Sequence, residues 1–585
     1  MTKYKLILLV TFVLLGCSKK IIIQDLHVDA INILDFGAIP NDGKDDSPAI
    51  QKSIDFAIKN SKSSLVYCPP GVYDLDKGIS VVHPKENGEY NFTTITLRGH
   101  IPAYTPNQAI GSTTVFKIHH KGFGLALQLS RNSVIENIVF EGSATYSTDI
   151  KNIMEFTADE WGIKANANTN SFSPSCAIVI DPFHVNVPKN EQYKDLSKLY
   201  TNQSNSGSSM VLIKGCAFFN HYIAIANNPS NGVQNGDNIR AEQCHVNTCH
   251  TFWSAGQTQS RANSIDNIYA LFLHTLVSGV QIGNQQGTPP TISNVNLAGF
   301  CKIVFDIKTG FSGLNVYRSY FESIWSLGVC DGISTSFDQC QIKFHKPSDE
   351  FFMPPFHLYA NNVVAFRDCN IEYFDNCNTR MPFLFRSTSL LLSGGSIEGG
   401  VVVADGYTNF GGDDLHKVTL DNVNIKCLGK VAGKKNTQKP TSKIKDEIIM
   451  GGEVISTTEG DIYVNNGTTY NQLYLEEANI KINIQTKTAT FSTSKPSSYK
   501  IGDNIFTGQY VEGNTSGFSN SIKLRSPLGY ISKIVENEIT VSGVPIGFPT
   551  GKTSLYLVEY PVLEINSASS RKIKSGINFF KVKRD

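Results

Sequence analysis

The chain has 585 residues, with 52 basic and 51 acidic side chains and a formal net charge of +1. That balance excludes recruitment of nucleic acid or an anionic membrane by a global field, so any ligand must meet a local site. The length exceeds one ordinary globular domain, although repeat folds escape that ceiling because each repeat packs only on its neighbours.

Residues 1–16 read as an export signal: Lys3 and Lys5, an apolar run from Leu6 to Leu15 broken only by Thr11, then Gly16 and Cys17. The run is too short to span a bilayer as a helix, and no later segment has the roughly 20 apolar residues that would. Leu14-Leu15-Gly16-Cys17 resembles the bacterial lipobox. The resemblance implies lipidation at Cys17, a tether over residues 17–30, and an exported protein anchored by lipid in the cell envelope.

Next comes a repeat. A seven-residue pattern of apolar, any, any, small or apolar, any, apolar, any starts at Ile135, Ile213, Ala241, Ile292, Val316, Phe337, Phe366, Leu392 and Leu420, with a weaker copy at Leu273. From Ile213 the starts fall roughly 19 to 32 residues apart, too irregular for helical repeats and suited to β-coils with loops of varying length. A second short strand follows most copies, as in Tyr222 to Ile225, Val280 to Ile282, Ile303 to Phe305 and Val401 to Val403. Cys216, Cys244, Cys340 and Cys369 share one register, which predicts interior thiols stacked down a core rather than a metal site. The stretch from Thr145 to Ser209, which includes Trp161, lacks the pattern and reads as a long excursion.

The first ordered segment runs Ile33-Leu34-Asp35-Phe36-Gly37-Ala38, Asn41-Asp42-Gly43-Lys44-Asp45-Asp46-Ser47 and, later, Val66-Tyr67-Cys68-Pro69-Pro70-Gly71-Val72-Tyr73. It resembles the N-terminus of the pectate-lyase-3 or rhamnogalacturonase/epimerase-like family, and more loosely the polygalacturonase clan. The resemblance covers roughly residues 31–430 and implies an all-β, right-handed parallel β-helix of the pectin-lyase kind. Ser47 is expected to cap a helix whose first residue is Pro48, with Ile50, Ile54, Ala57 and Ile58 on one apolar face that covers the end of the solenoid. Asp42, Asp45 and Asp46 fit turn formation and capping better than a cation site. No cofactor is called for, and Ca2+ is the one ion the reading leaves room for.

In the clan, substrate lies in a groove along one sheet across the middle coils. The matching places here are the short second strands and the residues just before them. They nominate His221, His250, Asp306, Glu322 and Arg318 as catalytic candidates, and Trp253, Trp325, Gln281, Tyr320, His357 and Tyr359 as polysaccharide-binding candidates. Flat aromatic faces bury sugar C–H surface while polar groups fix hydroxyls. A lyase needs a base for the proton α to a uronate carboxylate and a donor set to neutralise that carboxylate; His221 or His250 suits the first role, with Arg318, Tyr320 or a second His for the other. A hydrolase needs two carboxylates about 5 Å or about 6.5 to 9.5 Å apart. Glu322, Lys343, Glu372, Glu398 and Lys426 form one column, which reads more simply as an ion-pair ladder. The clan's Asn-Thr-Asp, Asp-Asp and Gly-His-Gly motifs are absent from the matching places, and Gly412-Asp413-Asp414 precedes the last rung.

Residues 431–449, rich in Lys, Gly, Thr and Pro, read as a linker, and residues 450–585 as a small β-barrel or β-sandwich. Strands are expected around Glu476 to Ile484 and Glu538 to Val541, with turns at Tyr499 to Asp503 and Pro527 to Tyr530. The leading expectation is an enzyme that cleaves polysaccharide, a lyase or glycoside hydrolase. Its rival is a non-catalytic glycan-binding or structural surface β-helix; the sequence sets no oligomeric state.

Overall fold

The computed structural model describes residues 30–60, 64–83, 91–100, 112–142 without 121, 176–181, 207–227, 236–255, 260–279 and 290–344 without 312 and 333, then strands and turns within 358–465 and 471–584. Cys17 with the leader, most of the tether, and Trp161 lie outside the described residues. Among the described residues no helix is long and apolar enough to cross a membrane.

Each coil lays down three short strands; in one coil these are Leu212–Lys214, Ala217–Phe219 and Ile223–Asn227. They stack in parallel register on the coils before and after. Ile213 lies between Ile135 and Ala241, Phe218 between Phe140 and Val246, and Ile225 between Ile178 and Trp253. First strands build a 14-stranded sheet, while second and third strands build two further columns joined by the long strand Tyr320–Gly332. The molecule is thus an all-β, right-handed parallel β-helix, as the repeat and the resemblance implied.

The seven-residue pattern is the turn between first and second strands. Its first residue points inward: Ile135, Ile213 and Phe337 are fully buried. Its third adopts left-handed backbone, as in Asn137 (φ 59°), Gly215 (φ 60°), Gln243 (φ 54°), Asn294 (φ 54°) and Asp368 (φ 51°). One left-handed residue turns the chain sharply between two extended segments, and Gly, Asn and Asp bear that conformation at least cost. The fourth residue then fills the inner corner, as a Cys in four copies and as Ile138, Ile268 or Val295 in others. Cys216, Cys244, Cys340 and Cys369 are accordingly buried free thiols. The copy expected at Leu273 belongs instead at Ile265 to Leu271, where Asn267 is left-handed (φ 53°), and Leu273 opens a third strand. Its apolar alternation matches the pattern without the turn.

The interior is a ladder of aromatic rings on successive coils. Phe116 and Phe140 meet edge-on at 5.8 Å, Phe140 and Phe218 stack at 5.7 Å, and Phe337 and Phe366 stack at 4.7 Å. Helix α1, Ser47–Lys59, closes the N-terminal end with Ala49, Ile50, Ile54 and Ala57 buried against the core. Ser47 is its first helical residue rather than its cap: the Asp45 carboxylate accepts the Ser47 amide at 3.0 Å and its hydroxyl at 2.5 Å. Pro48 thereby falls one position inside the start.

The excursion is not wholly outside the solenoid. Cys176–Ile180 is a third strand seated between Phe123–Leu127 and Ile223–Asn227. Just after it, the buried Asp181 carboxylate accepts the Leu129 amide (3.1 Å), the Ser208 amide (2.6 Å) and the Ser208 hydroxyl (2.7 Å). It fastens the two ends of the remaining loop to the coil below.

Two boundaries change at the C-terminus. Ile448–Gly451 pairs with Lys417–Asp421, so the solenoid runs beyond 430. After Ile462–Asn465 comes a closed antiparallel barrel within 471–559, and the chain then returns as Leu563–Asn566, which pairs with both Ile462–Asn465 and Val401–Ala404. The barrel is therefore an insertion in a terminal coil, not an appended domain. Pro527 to Tyr530, expected as a turn, is a bulge inside the strand Leu524–Val535, with Gly529 at φ 141°. Phe506 of the barrel is buried in the same apolar cluster as the solenoid core. Phe218→Ala should destabilise the protein by about 3 to 5 kcal/mol through loss of ring contacts above and below; a shift in the urea midpoint measures it, and Gly215→Asn should shift it far less than Gly215→Val because Asn tolerates the left-handed turn.

Candidate functional site

Tyr222 and His250 immediately precede their third strands, His274 and Lys302 are the second residues of theirs, and strand register aligns the four coil on coil. The column reads Tyr222, His250, His274, Lys302, with Trp325 next in the ladder. Tyr222 and His250 stack at 4.4 Å, and His250 and His274 at 4.2 Å with ring planes 11° apart. The following residue is Thr in two successive coils. His250 Nδ1 and Thr251 Oγ1 are 2.9 Å apart, and His274 Nδ1 and Thr275 Oγ1 are 2.8 Å apart. Both threonines are buried, whereas Tyr222, His250, His274 and Lys302 are half-buried. Asp306 lies on the same face four residues after Lys302, in register with Ser278 and Val329, and its charge is felt at Tyr222.

Enclosure sets the electrostatics of the column. Burial, then His274, then Lys302 hold His250 well below the usual imidazole range, and burial followed by Lys302 brings His274 down to about 3. Burial also lowers the Lys302 ammonium and raises the Tyr222 phenol. At neutral pH the column therefore carries two uncharged imidazoles beside a lysine that gives up its proton more readily than an exposed one.

Several expected site residues fall elsewhere. His221 is fully buried on the inner side of the turn before the third strand, and burial brings it down to about 3; no polysaccharide can reach it as a base. Trp253 is likewise fully exposed to the core and not to solvent, so it packs the interior instead of stacking on sugar. Arg318 is the left-handed residue (φ 43°) of the turn between a first and a second strand, away from the third sheet. Tyr320 and Glu322 lie on the second column, where Tyr320 pairs with Asn296 and Gln341. Trp325 and Tyr359 sit on third strands, Tyr359 opposite Val329. Gln281 and His357 lie outside the described residues. Glu372 is paired with Lys343 at 2.8 Å, and Glu398 stands in backbone register with Lys426.

Of the expected catalytic residues, then, the structure brings His250 and Asp306 to one face. It adds His274 and Lys302, for which the sequence signal is the dipeptide His-Thr recurring one coil later. Among the described residues no three His, Cys, Asp or Glu side chains converge as a bound ion requires.

These strands and this outward column define the class as a β-helix of the pectin-lyase kind. Residues 30–305 match the family described as rhamnogalacturonase A/epimerase, pectate lyase-like. Similar solved structures include the catalytic domain of a GH87 alpha-1,3-glucanase in complex with nigerose, with 10% identity over 66% of this chain and 64% of that chain and a TM-score of 0.36. The chain thus spans 64% of that glucanase domain's length. Also similar are PfbA, a surface adhesin of Streptococcus pneumoniae (13% identity, 78% and 97% covered, TM-score 0.31), and the A-module of the mannuronan C-5 epimerase AlgE4 of Azotobacter vinelandii (11% identity, 73% and 100% covered, TM-score 0.31). No curated protein sequence matches the chain.

The buried histidines make stability pH-dependent with a definite sign. His221 and His274 are lowered to about 3, His120 and His245 to about 4, and His250 is lowered as well. Their contribution is whole above pH 6.5 and declines below it, because the unfolded chain takes up protons that the folded imidazoles refuse. Asp46 and Asp181, raised by burial to about 6, act in the opposite direction, favouring the fold as pH falls from about 6 to 3.8. Five groups outweigh two, so the melting temperature should fall as pH drops from 6.5 to 4, with a shallower fall in His221→Gln.

Proposed function

We propose that the protein acts on a uronate-containing polysaccharide along the outer face of the third sheet, removing the proton α to a uronate carboxylate and cleaving the chain by β-elimination. The column Tyr222, His250, His274, Lys302 carries this reading: an aromatic face, two imidazole edges and a lysine succeed one another at one-rung spacing. The α proton is acidic enough to remove only when the carboxylate's growing charge is met by donors. The neutral imidazoles supply that donor set. Lys302, weakened as an acid-bound ammonium by burial, is the base. Its amine takes the C5 proton, the electron pair forms the C4–C5 double bond, the C4–O bond breaks, and the leaving oxygen takes a proton from water. Asp306 and Tyr222 face the flanking sugar hydroxyls.

Hydrolysis requires a second carboxylate at a set distance from the first. Asp306 is in register with Val329, and Asp331 follows Val329 by two residues on the same neighbouring strand, so hydrolysis is the alternative that the absorbance test separates from elimination.

Incubation with a panel of uronate polysaccharides should yield reducing ends together with the ultraviolet absorbance of an unsaturated sugar. Lys302→Met, folded by circular dichroism, should lose about 10²- to 10⁴-fold in rate. Reducing ends without absorbance would sink elimination in favour of hydrolysis. A shift in affinity electrophoresis with neither signal would leave a glycan binder.

The leader and Cys17 support an exported, lipid-anchored location in the cell envelope. Labelled palmitate should enter the full chain expressed in bacteria and be absent from Cys17→Ser; incorporation into the variant would rule out Cys17 as the anchor.

A further inference from the structure

The two His-Thr pairs carry more than packing. Thr275 Oγ1 is 2.8 Å from His274 Nδ1, and this imidazole nitrogen is the hydroxyl's partner among the described residues. Thr275 is 2% exposed and Thr251 4% exposed, so neither hydroxyl has water to fall back on. Two arrangements are open to such a pair. Either the hydroxyl donates to a bare Nδ1, or it accepts from a protonated Nδ1 and keeps its own hydrogen buried without an acceptor. The second strands a polar hydrogen in the interior, a penalty equivalent to roughly a ten- to hundredfold preference for the first. With Nδ1 accepting, the neutral ring carries its proton on Nε2.

We propose that Thr251 and Thr275 are positioning residues that hold His250 and His274 as Nε2–H tautomers, so that the stacked imidazoles present two parallel N–H donors to one substrate carboxylate. The rings are 11° from parallel and each is tied through Nδ1 to the next residue, so both turn the same edge outward. Their centroids are 4.2 Å apart, a spacing across which the two oxygens of one carboxylate can each accept one N–H. His274 is half-buried. Lys302 follows in the same column, so a carboxylate held by the pair sets its α carbon beside the amine. The assignment reverses the role expected for these rings: as Nε2–H donors they stabilise the enolate-like charge and do not remove the proton. It rests on the elimination reading for its catalytic meaning, whereas the tautomer itself does not.

The test separates the two. Full-length protein labelled with nitrogen-15 in histidine rings is compared with His274→Asn by NMR at neutral pH, which isolates the His274 signals. The expected result is a protonated Nε2 and a bare Nδ1; a protonated Nδ1 overturns the proposal whatever the activity. Thr275→Val, which keeps the shape and removes the hydroxyl, should mix the tautomers and lower kcat about tenfold with little change in KM, and Thr275→Ser should restore both. Unchanged tautomer and unchanged kcat in Thr275→Val also overturn it. If no uronate polysaccharide is cleaved at all, the elimination reading fails while the nitrogen signals still decide the tautomer.

Discussion

One constraint governs the molecule: each coil must turn sharply between its first and second strands so that every strand lands in register on the one below. A single left-handed residue at Asn137, Gly215, Gln243, Asn294 or Asp368 makes that turn. Because the turns recur at one position, side chains of like kind are laid on each other. Cysteines fill the inner corner, phenylalanines the interior, and acids and lysines the outer second column, where Lys343 meets Glu372. A parallel ladder leaves no freedom to slide one coil alone, since a one-residue slip would invert every side chain in it.

The same stacking produces the candidate site. Ordinarily two imidazoles and an ammonium at rung spacing would repel once charged, and the column answers by staying uncharged at His250 and His274. Enclosure that would be a liability for a histidine in the unfolded chain becomes, in the fold, a means of keeping N–H donors neutral beside Lys302. The cost is sensitivity to acid, shared with His120, His221 and His245 elsewhere in the coils. Through Phe506 the inserted barrel joins the apolar core of the solenoid, whose other end α1 covers.

Much of this was legible because the repeat is a physical object: an inward apolar residue, a left-handed turn and a small or apolar corner residue leave a readable trace. The capping helix and the stacked thiols followed directly from it. What the pattern could not convey was which side of the third strand a polar residue faces. His221 and His250 occupy adjacent coils in similar contexts, yet His221 sits one residue earlier in the register, on the inner side. Trp253 was misread for a related reason, since the third strands carry consecutive inward residues and do not alternate strictly. Arg318 looked available because it precedes Tyr320, but its place is the turn itself. The C-terminal boundary was obscured because the barrel interrupts a coil, and no local signal announces that the chain will return at Leu563.

The account stands on the claim that sugar carboxylates are bound on the outer face of the third sheet, at His250, His274 and Lys302. The most direct measurement is a crystal structure of the full-length Lys302→Met protein soaked with an oligouronate. A carboxylate lying across the two imidazoles, with its α carbon turned toward position 302, is the predicted result. An oligosaccharide bound instead along the second column, against Tyr269 and Tyr320, would contradict it.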